Sequence, residues 1–162
     1  MNQAVLLLGG NLSDRKESIS SAIDSIVANC GTILKTSKLY ESEAWGFKTK
    51  NNFLNQAIII ETKLKAEDLL DILQQIEKES GRKVKTSDKY ESRIIDIDIL
   101  FYNSDIINTE RLTIPHPRLH IRKFTLNCLM DIIPDYIHPK LYKSISSLSK
   151  ECVDNIKVWP YE

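Results

Sequence analysis

The sequence predicts an α+β sandwich of the ferredoxin-like kind, carrying extra helices towards its C-terminal end. Three observations predict it. Apolar runs and amphipathic stretches follow one another in the order strand, helix, strand, strand, helix, strand. The chain has 162 residues, enough for one domain with a sizeable core, so a single unit over 1–162 is expected. No repeat, low-complexity stretch or compositional break marks a linker.

The elements are taken in order. A continuous apolar run over 4–8, ended by Gly9-Gly10-Asn11, predicts a buried strand followed by a turn. Asp14 and Glu17 stand at capping-box spacing, and Ile19, Ala22, Ile23, Ile26 and Val27 recur at helical intervals. That helix closes near Cys30-Gly31. One strand is expected over 32–40, then a polar loop holding Trp45-Gly46-Phe47, then a long strand over 53–62. Leu69, Ile72, Leu73 and Ile76 form the buried stripe of a second helix, and Gly81 stands at a helix stop. Residues 82–93 are polar and charged without apolar period. A strand over 94–102 turns at Asn103-Ser104-Asp105 into a short partner around Ile106-Ile107. Helices are expected over 124–130 and 144–152.

Composition excludes several classes. Twenty-two basic residues balance 22 acidic ones, whereas a dedicated nucleic-acid binder needs a basic excess. The first apolar run is too short to span a bilayer and has neither the basic flank nor the cleavage site of a signal peptide. Cys30, Cys128 and Cys152 are scattered without CxxC spacing, which predicts reduced thiols and a cytoplasmic setting. A neutral single domain makes a monomer the default expectation.

Chemistry concentrates in Arg93-Ile94-Ile95-Asp96-Ile97-Asp98-Ile99-Leu100. On a strand, Asp96 and Asp98 project from one face and the isoleucines from the other. Adjacent carboxylates repel unless a cation joins them, and Mg²⁺ takes one or two carboxylates together with substrate phosphates. The pair alone is better explained as a solvated face of a half-exposed strand, because such alternation is common there. Arg82, Lys83, Lys85, Lys89 and Arg93 precede it, and Arg111, His116, Arg118, His120, Arg122 and Lys123 follow. Such company suits a polyphosphate bridged by metal, and also an ordinary charged surface. Pro115 and Pro117 break the helix that a zinc pair of His116 and His120 needs, leaving phosphate contact or packing for both. Gly9-Gly10-Asn11 matches neither phosphate-binding glycine motif. Asn55, on an otherwise apolar strand, has an amide able to meet a heterocycle edge with donor and acceptor together.

Taken together these blocks resemble hydroxymethyldihydropterin pyrophosphokinase over nearly the whole chain. The resemblance rests on Leu8-Gly9-Gly10-Asn11-Leu12, Tyr40-Glu41-Ser42-Glu43-Ala44-Trp45-Gly46, Phe53-Leu54-Asn55, Gln74-Gln75-Ile76-Glu77, and the run from Arg93 to Leu100. Ile114-Pro115-His116-Pro117-Arg118-Leu119-His120 and Arg122-Lys123-Phe124 complete it. It implies a ferredoxin-like three-layer α/β/α sandwich with a mostly antiparallel sheet. It also implies transfer of a diphosphate from Mg·ATP to the hydroxymethyl group of 6-hydroxymethyl-7,8-dihydropterin, giving AMP, in folate biosynthesis. Two Mg²⁺ ions on Asp96 and Asp98 are implied, with Arg82 and Arg93 beside them as catalytic groups. The pterin would lie between Phe53 and Phe124, with Asn55 and the backbone around Ser42, Ala44 and Trp45 at its edge. Gln74, Glu77, Ile99, Arg111, Thr113, His116 and Arg122 would join Arg82 and Arg93 around ATP.

The sequence departs from the usual family pattern at Gly10, Ser42, Ala44 and Lys85, and at Tyr90-Glu91-Ser92 before the arginine. A ferredoxin-like RNA-binding module accounts for the element order and aromatics. It does not account for adjacent aspartates, which repel phosphate unless a metal intervenes.

Overall fold

The computed structural model describes residues 1–81 and 94–162, so the expected basic loop, with Arg82 and Arg93, lies outside the described residues. Strand β1 (Asn2–Gly10) extends the first apolar run through both glycines. Its residues from Ala4 onward are buried on both faces, which explains a continuous apolar run where a half-covered strand would alternate. Helix α1 (Arg15–Asn29) begins at Asp14, whose Oδ1 accepts from Glu17 N at 3.1 Å.

The strand expected over 32–40 is two strands, β2 (Thr32–Thr36) and β3 (Tyr40–Ser42), both antiparallel to β4 (Phe53–Thr62). Between them the Ser37 hydroxyl accepts from Ala57 N at 2.9 Å, filling a ladder position with a side chain. That substitution of side chain for backbone breaks the strand. Helix α2 (Ala66–Glu79) buries Leu69, Leu73 and Ile76 as its spacing requires. Strand β5 (Asp96–Tyr102) follows.

The turn at Asn103 forms, with φ of 51°. The expected partner at Ile106-Ile107 does not pair with β5, however. β6 (Ile107–Asn108) instead joins β7 (Thr113–Ile114) in a separate two-stranded sheet. A 3-10 turn (Leu119–Ile121), α3 (Lys123–Ile132), α4 (Ile145–Glu151) and β8 (Val158–Pro160) complete the described elements. No helix among the described residues is long and apolar enough to cross a membrane.

The main sheet runs β5-β1-β4-β3-β8, with β2 also on β4, and every pairing is antiparallel. Alternate residues of β1 and β4 feed two cores. Ala4, Leu6, Leu8, Ile58 and Ile60 pack under α1 and α2. Val5, Leu7, Ala57 and Ile59 pack under α3 and α4. The layers are therefore α/β/α. A register shift between Val5 and Leu6 leaves Leu100 as an extra residue on β5. Past this bulge Leu100 and Phe101 both enter the α3–α4 core.

His138 lies in that second layer, 3% exposed, its ring edge-on to Phe101. Its Nδ1 accepts from Lys140 N at 3.1 Å and Leu141 N at 3.0 Å, which requires an unprotonated Nδ1. Burial, with the neighbouring His120 and Lys140 adding to it, pushes its pKa from 6.5 down to about 4. The unfolded chain therefore binds more protons between those values. The contribution to stability is complete above 6.5 and is lost as pH falls towards 4. Urea unfolding midpoints should drop over that window, and drop less in His138→Asn. A His138 imidazole that titrates in NMR at its ordinary pKa would refute the account.

Candidate active site

The candidate site starts from sheet register. Asp96 on β5 lies opposite Gly9 on β1, Gly9 opposite Asn55 on β4, and Asn55 opposite Tyr40 on β3. In the neighbouring rows Asp98 lies opposite Leu7, and Phe53 opposite Ser42. One end of the sheet, on its α3 side, thus carries two carboxylates, an amide, a hydroxyl and an aromatic ring within four strands. Gly9 makes this row possible, since a Cβ there would stand 2.2 Å from Asn55 Oδ1.

Apart from Tyr40, which lies in the core, these residues line a cavity of about 330 Å³. Its walls gain Glu43, Trp45 and Phe47 from the β3–β4 loop, Leu70, Gln74 and Glu77 from α2, and His116, Arg118, Arg122 and Phe124 from the segment entering α3. Ser42 Oγ and Asn55 Nδ2 are buried in this wall with no hydrogen-bond partner among the described residues. A buried polar atom without a partner is costly, and two facing one cavity suit a polar planar ligand.

The carboxylate end is built differently. Asp96 and Asp98 are half-buried, while Ile97 and Ile99 pack beneath the sheet with α1 and α2, as strand alternation predicts. Glu77, 5% exposed, accepts from Ile97 N at 2.8 Å through Oε2. The residue between the two aspartates is thereby anchored from α2, which holds the outer edge of β5 in place. Two carboxylates with no further cluster of His, Cys, Asp or Glu ligands among the described residues suit Mg²⁺ completed by substrate oxygens; structural zinc would need four protein ligands.

His116 stands beside this pair, its Nε2 3.9 Å from Asp98 Oδ2. Its Nδ1 accepts from Arg118 N at 3.1 Å, so the neutral ring carries its proton on Nε2. Burial first, then Arg122 and Arg118, pushes its pKa down to about 4 against the opposing pull of Asp96. His116 therefore offers the cavity a neutral N–H donor. Arg122 is 8% exposed, with its guanidinium 4.7 Å from the Trp45 ring centroid and 5.9 Å from that of Phe124. Phe47 meets Phe53 edge-on at 6.0 Å.

Of the residues expected from sequence, Ser42, Trp45, Phe53, Asn55, Gln74, Glu77, Asp96, Asp98, His116, Arg122 and Phe124 come together here. Ala44, Ile99, Arg111 and Thr113 do not line the cavity. Ile99 lies in the core, Arg111 is exposed and ion-paired with Asp71, and Thr113 is exposed on β7. Arg82 and Arg93 lie outside the described residues. Gly9 and Phe47 line the wall without having been expected there. The Trp45-Gly46-Phe47 aromatic pair in a polar loop was the available signal for Phe47. For Gly9 the apparent turn concealed a strand position.

A profile of the family described as 7,8-dihydro-6-hydroxymethylpterin-pyrophosphokinase (HPPK) matches residues 5–134. The chain is 46% identical over 155 residues to a folic acid synthesis protein of Pneumocystis carinii, covering 95% of this chain and 21% of that protein. It is 40% identical over 151 residues to the 2-amino-4-hydroxy-6-hydroxymethyldihydropteridine pyrophosphokinase of Aquifex aeolicus, covering 93% and 92% of the two chains. Its fold is similar to a Plasmodium falciparum HPPK-DHPS crystal structure with pteroate, at a TM-score of 0.75 and 19% identity. That similarity covers 93% of this chain and 44% of the other.

Gly9→Ala should destabilise the fold by about 1–3 kcal/mol, the usual cost of overpacking. Combined with Asn55→Ala, which removes the clashing amide, it should cost clearly less than the sum of the single losses. Denaturant unfolding of the double-mutant cycle measures this, and strict additivity would refute the close approach.

Proposed function

The chain belongs to the 7,8-dihydro-6-hydroxymethylpterin-pyrophosphokinase family, an ATP-using group of folate biosynthesis, and from that premise we propose which residues of its cleft do the work. One observation carries the reading. The row from Asp96 through Gly9 to Asn55 sets a carboxylate pair beside a slot lined by amide, hydroxyl and aromatic groups, in one cavity.

The hydroxymethyl oxygen of the dihydropterin attacks the β-phosphorus of ATP, and AMP leaves as the pterin diphosphate forms. Catalysis of this kind is chiefly alignment and charge stabilisation. Phe53 and Phe124 hold the pterin ring. Asn55 and Ser42 pair with its edge through their unpartnered buried atoms, Nδ2 and Oγ. The backbone of residues 42–45 completes the recognition of that edge. A cavity of about 330 Å³ suits a flat bicyclic heterocycle.

Asp96 and Asp98 would hold Mg²⁺, two ions in this proposal. When bound it neutralises phosphate oxygens and lowers the pKa of the attacking hydroxyl. The neutral His116 donates from Nε2 to a phosphate oxygen, and Arg122 supplies fixed positive charge at the same end. Gln74 and Glu77 border the nucleotide on the α2 side, with Arg82, Arg93, Ile99, Arg111 and Thr113 assigned there by the family pattern alone. Residues 1–162 are proposed to form one domain, working as a monomer in the cytoplasm. That reading is supported by two cores sharing one sheet and by three cysteines that stand as free thiols.

Asp96→Ala and Asp98→Ala should each lower AMP formation from ATP and 6-hydroxymethyl-7,8-dihydropterin by on the order of 100-fold or more, the scale of losing transition-state charge stabilisation. Circular dichroism should remain native. Full turnover in either variant would remove the metal assignment. Phe124→Ala should weaken pterin binding by calorimetry more than binding of a non-hydrolysable Mg·ATP analogue, and equal losses would remove the stacking role.

A further inference from the structure

Phe53 and Phe124 belong to separate elements, the start of β4 and the start of α3, so something must set the gap between them. Residues 154–161 are bonded to both regions while lining no part of the cavity. The N-cap of α3, Arg122, makes no side-chain cap hydrogen bond. Asp154 supplies one from 31 positions downstream, its Oδ2 accepting from Lys123 N at 3.0 Å. Its Oδ1 accepts from Ile156 N at 3.1 Å and so shapes its own turn. A carboxylate here satisfies an orphan N–H and complements the helix dipole immediately before Phe124.

The same segment then grips the other jaw. Lys157 N donates to Glu43 Oε1 at 3.0 Å, and Glu43 N donates to Lys157 O at 3.2 Å. β8 pairs with β3 so that Val158 lies opposite Ser42. Trp159 Nε1 donates to Glu41 Oε1 at 3.1 Å, and Arg15 bridges Glu41 Oε2 at 2.7 Å to the Asn52 carbonyl at 3.0 Å, one residue before Phe53. The Arg15 guanidinium also lies 5.7 Å from the Tyr161 ring centroid.

We propose that residues 154–161 form a strap that sets the spacing of the two aromatic jaws, with Asp154 as a positioning residue for the pterin. The proposal rests on the assignment of Phe53 and Phe124 to the pterin. Among the described residues, the strap's hydrogen bonds run to β3, the residue after it and the start of α3, on the ring-binding side of the cleft. Its loss should accordingly fall on one substrate.

Steady-state kinetics with both substrates, alongside thermal unfolding, test this. Asp154→Ala should raise the KM for 6-hydroxymethyl-7,8-dihydropterin by about fivefold to tenfold, the equivalent of one lost helix cap, with the KM for Mg·ATP and kcat within about twofold. Asp154→Asn keeps an acceptor at the helix start and should restore the pterin KM to within about twofold of the parent. Ser144→Ala removes the cap of α4, where Ser144 Oγ accepts from Ser147 N at 3.0 Å, and serves as the stability control. It should lower Tm comparably and leave the pterin KM unchanged. Should Asp154→Ala fail to accumulate, Trp159→Phe keeps an aromatic ring, loses the donation to Glu41, and should still raise the pterin KM by about threefold to fivefold, as a lost hydrogen bond does.

A pterin KM that stays at the parent value, an equal rise for both substrates, or an equal rise in Ser144→Ala overturns the strap. If Phe124→Ala leaves the pterin KM unchanged, the site assignment itself falls and the strap with it. A rise in Phe124→Ala without one in Asp154→Ala removes the strap alone.

Discussion

The structure depends on β1 being a central strand covered on both faces. It is hydrogen-bonded to β4 along one edge and β5 along the other, and its alternate side chains serve two cores. No exposed face remains along most of its length, so the chain has only the ends of the sheet at which to build a site. Gly9 and Gly10 occupy one such end. There Gly9 pairs with both β4 and β5 and Gly10 with β4, neither offering a side chain, and the space above Gly9 is taken by Asn55. Function begins where the hydrophobic requirement on β1 ends.

The chemistry of the cleft follows from how charge is buried around that end. Asp96 and Asp98 share one strand face, and Glu77 holds the amide between them, so their separation is set by β5 itself. Arg122 and Arg118 line the same cavity and, with burial, keep His116 neutral. A neutral imidazole with its proton on Nε2 donates to an oxyanion without adding net charge to a site already holding arginines. Carboxylates and cationic groups therefore line one cavity, an arrangement suited to a metal-bridged polyphosphate.

The aromatic half is less self-contained. Its two rings arrive on different elements, and the segment that ties those elements together follows α4 in sequence and lines no part of the cavity. Helix α3 begins without a cap of its own, and β3 is three residues long. Both weaknesses are met by residues 154–161. A short strand and a helix without a side-chain cap from its own N-cap residue gain order from long-range hydrogen bonds, which is where precision in a binding slot can be built without occupying it.

Much was legible in the residues themselves. The element order, the α1 cap at Asp14, the stripe of α2 and the shared face of Asp96 and Asp98 are local or periodic properties, and periodicity survives folding because both faces of the sheet are covered. The resemblance carried by the blocks around Asn55, Asp96 and His116 likewise identified most of the cavity wall. Other features required tertiary structure. The break between β2 and β3 depends on Ser37 taking a ladder position of β4, and β6 pairs with β7 through contacts that short strands do not announce. Gly9 looked like a turn because a glycine's role depends on what approaches it, here an amide from another strand. Ile99 and Arg111 kept their places in the pattern, yet burial under α1 and α2 and an ion pair with Asp71 put them off the cavity wall. Sequence spacing determines which side chains share a face; only packing decides which faces meet.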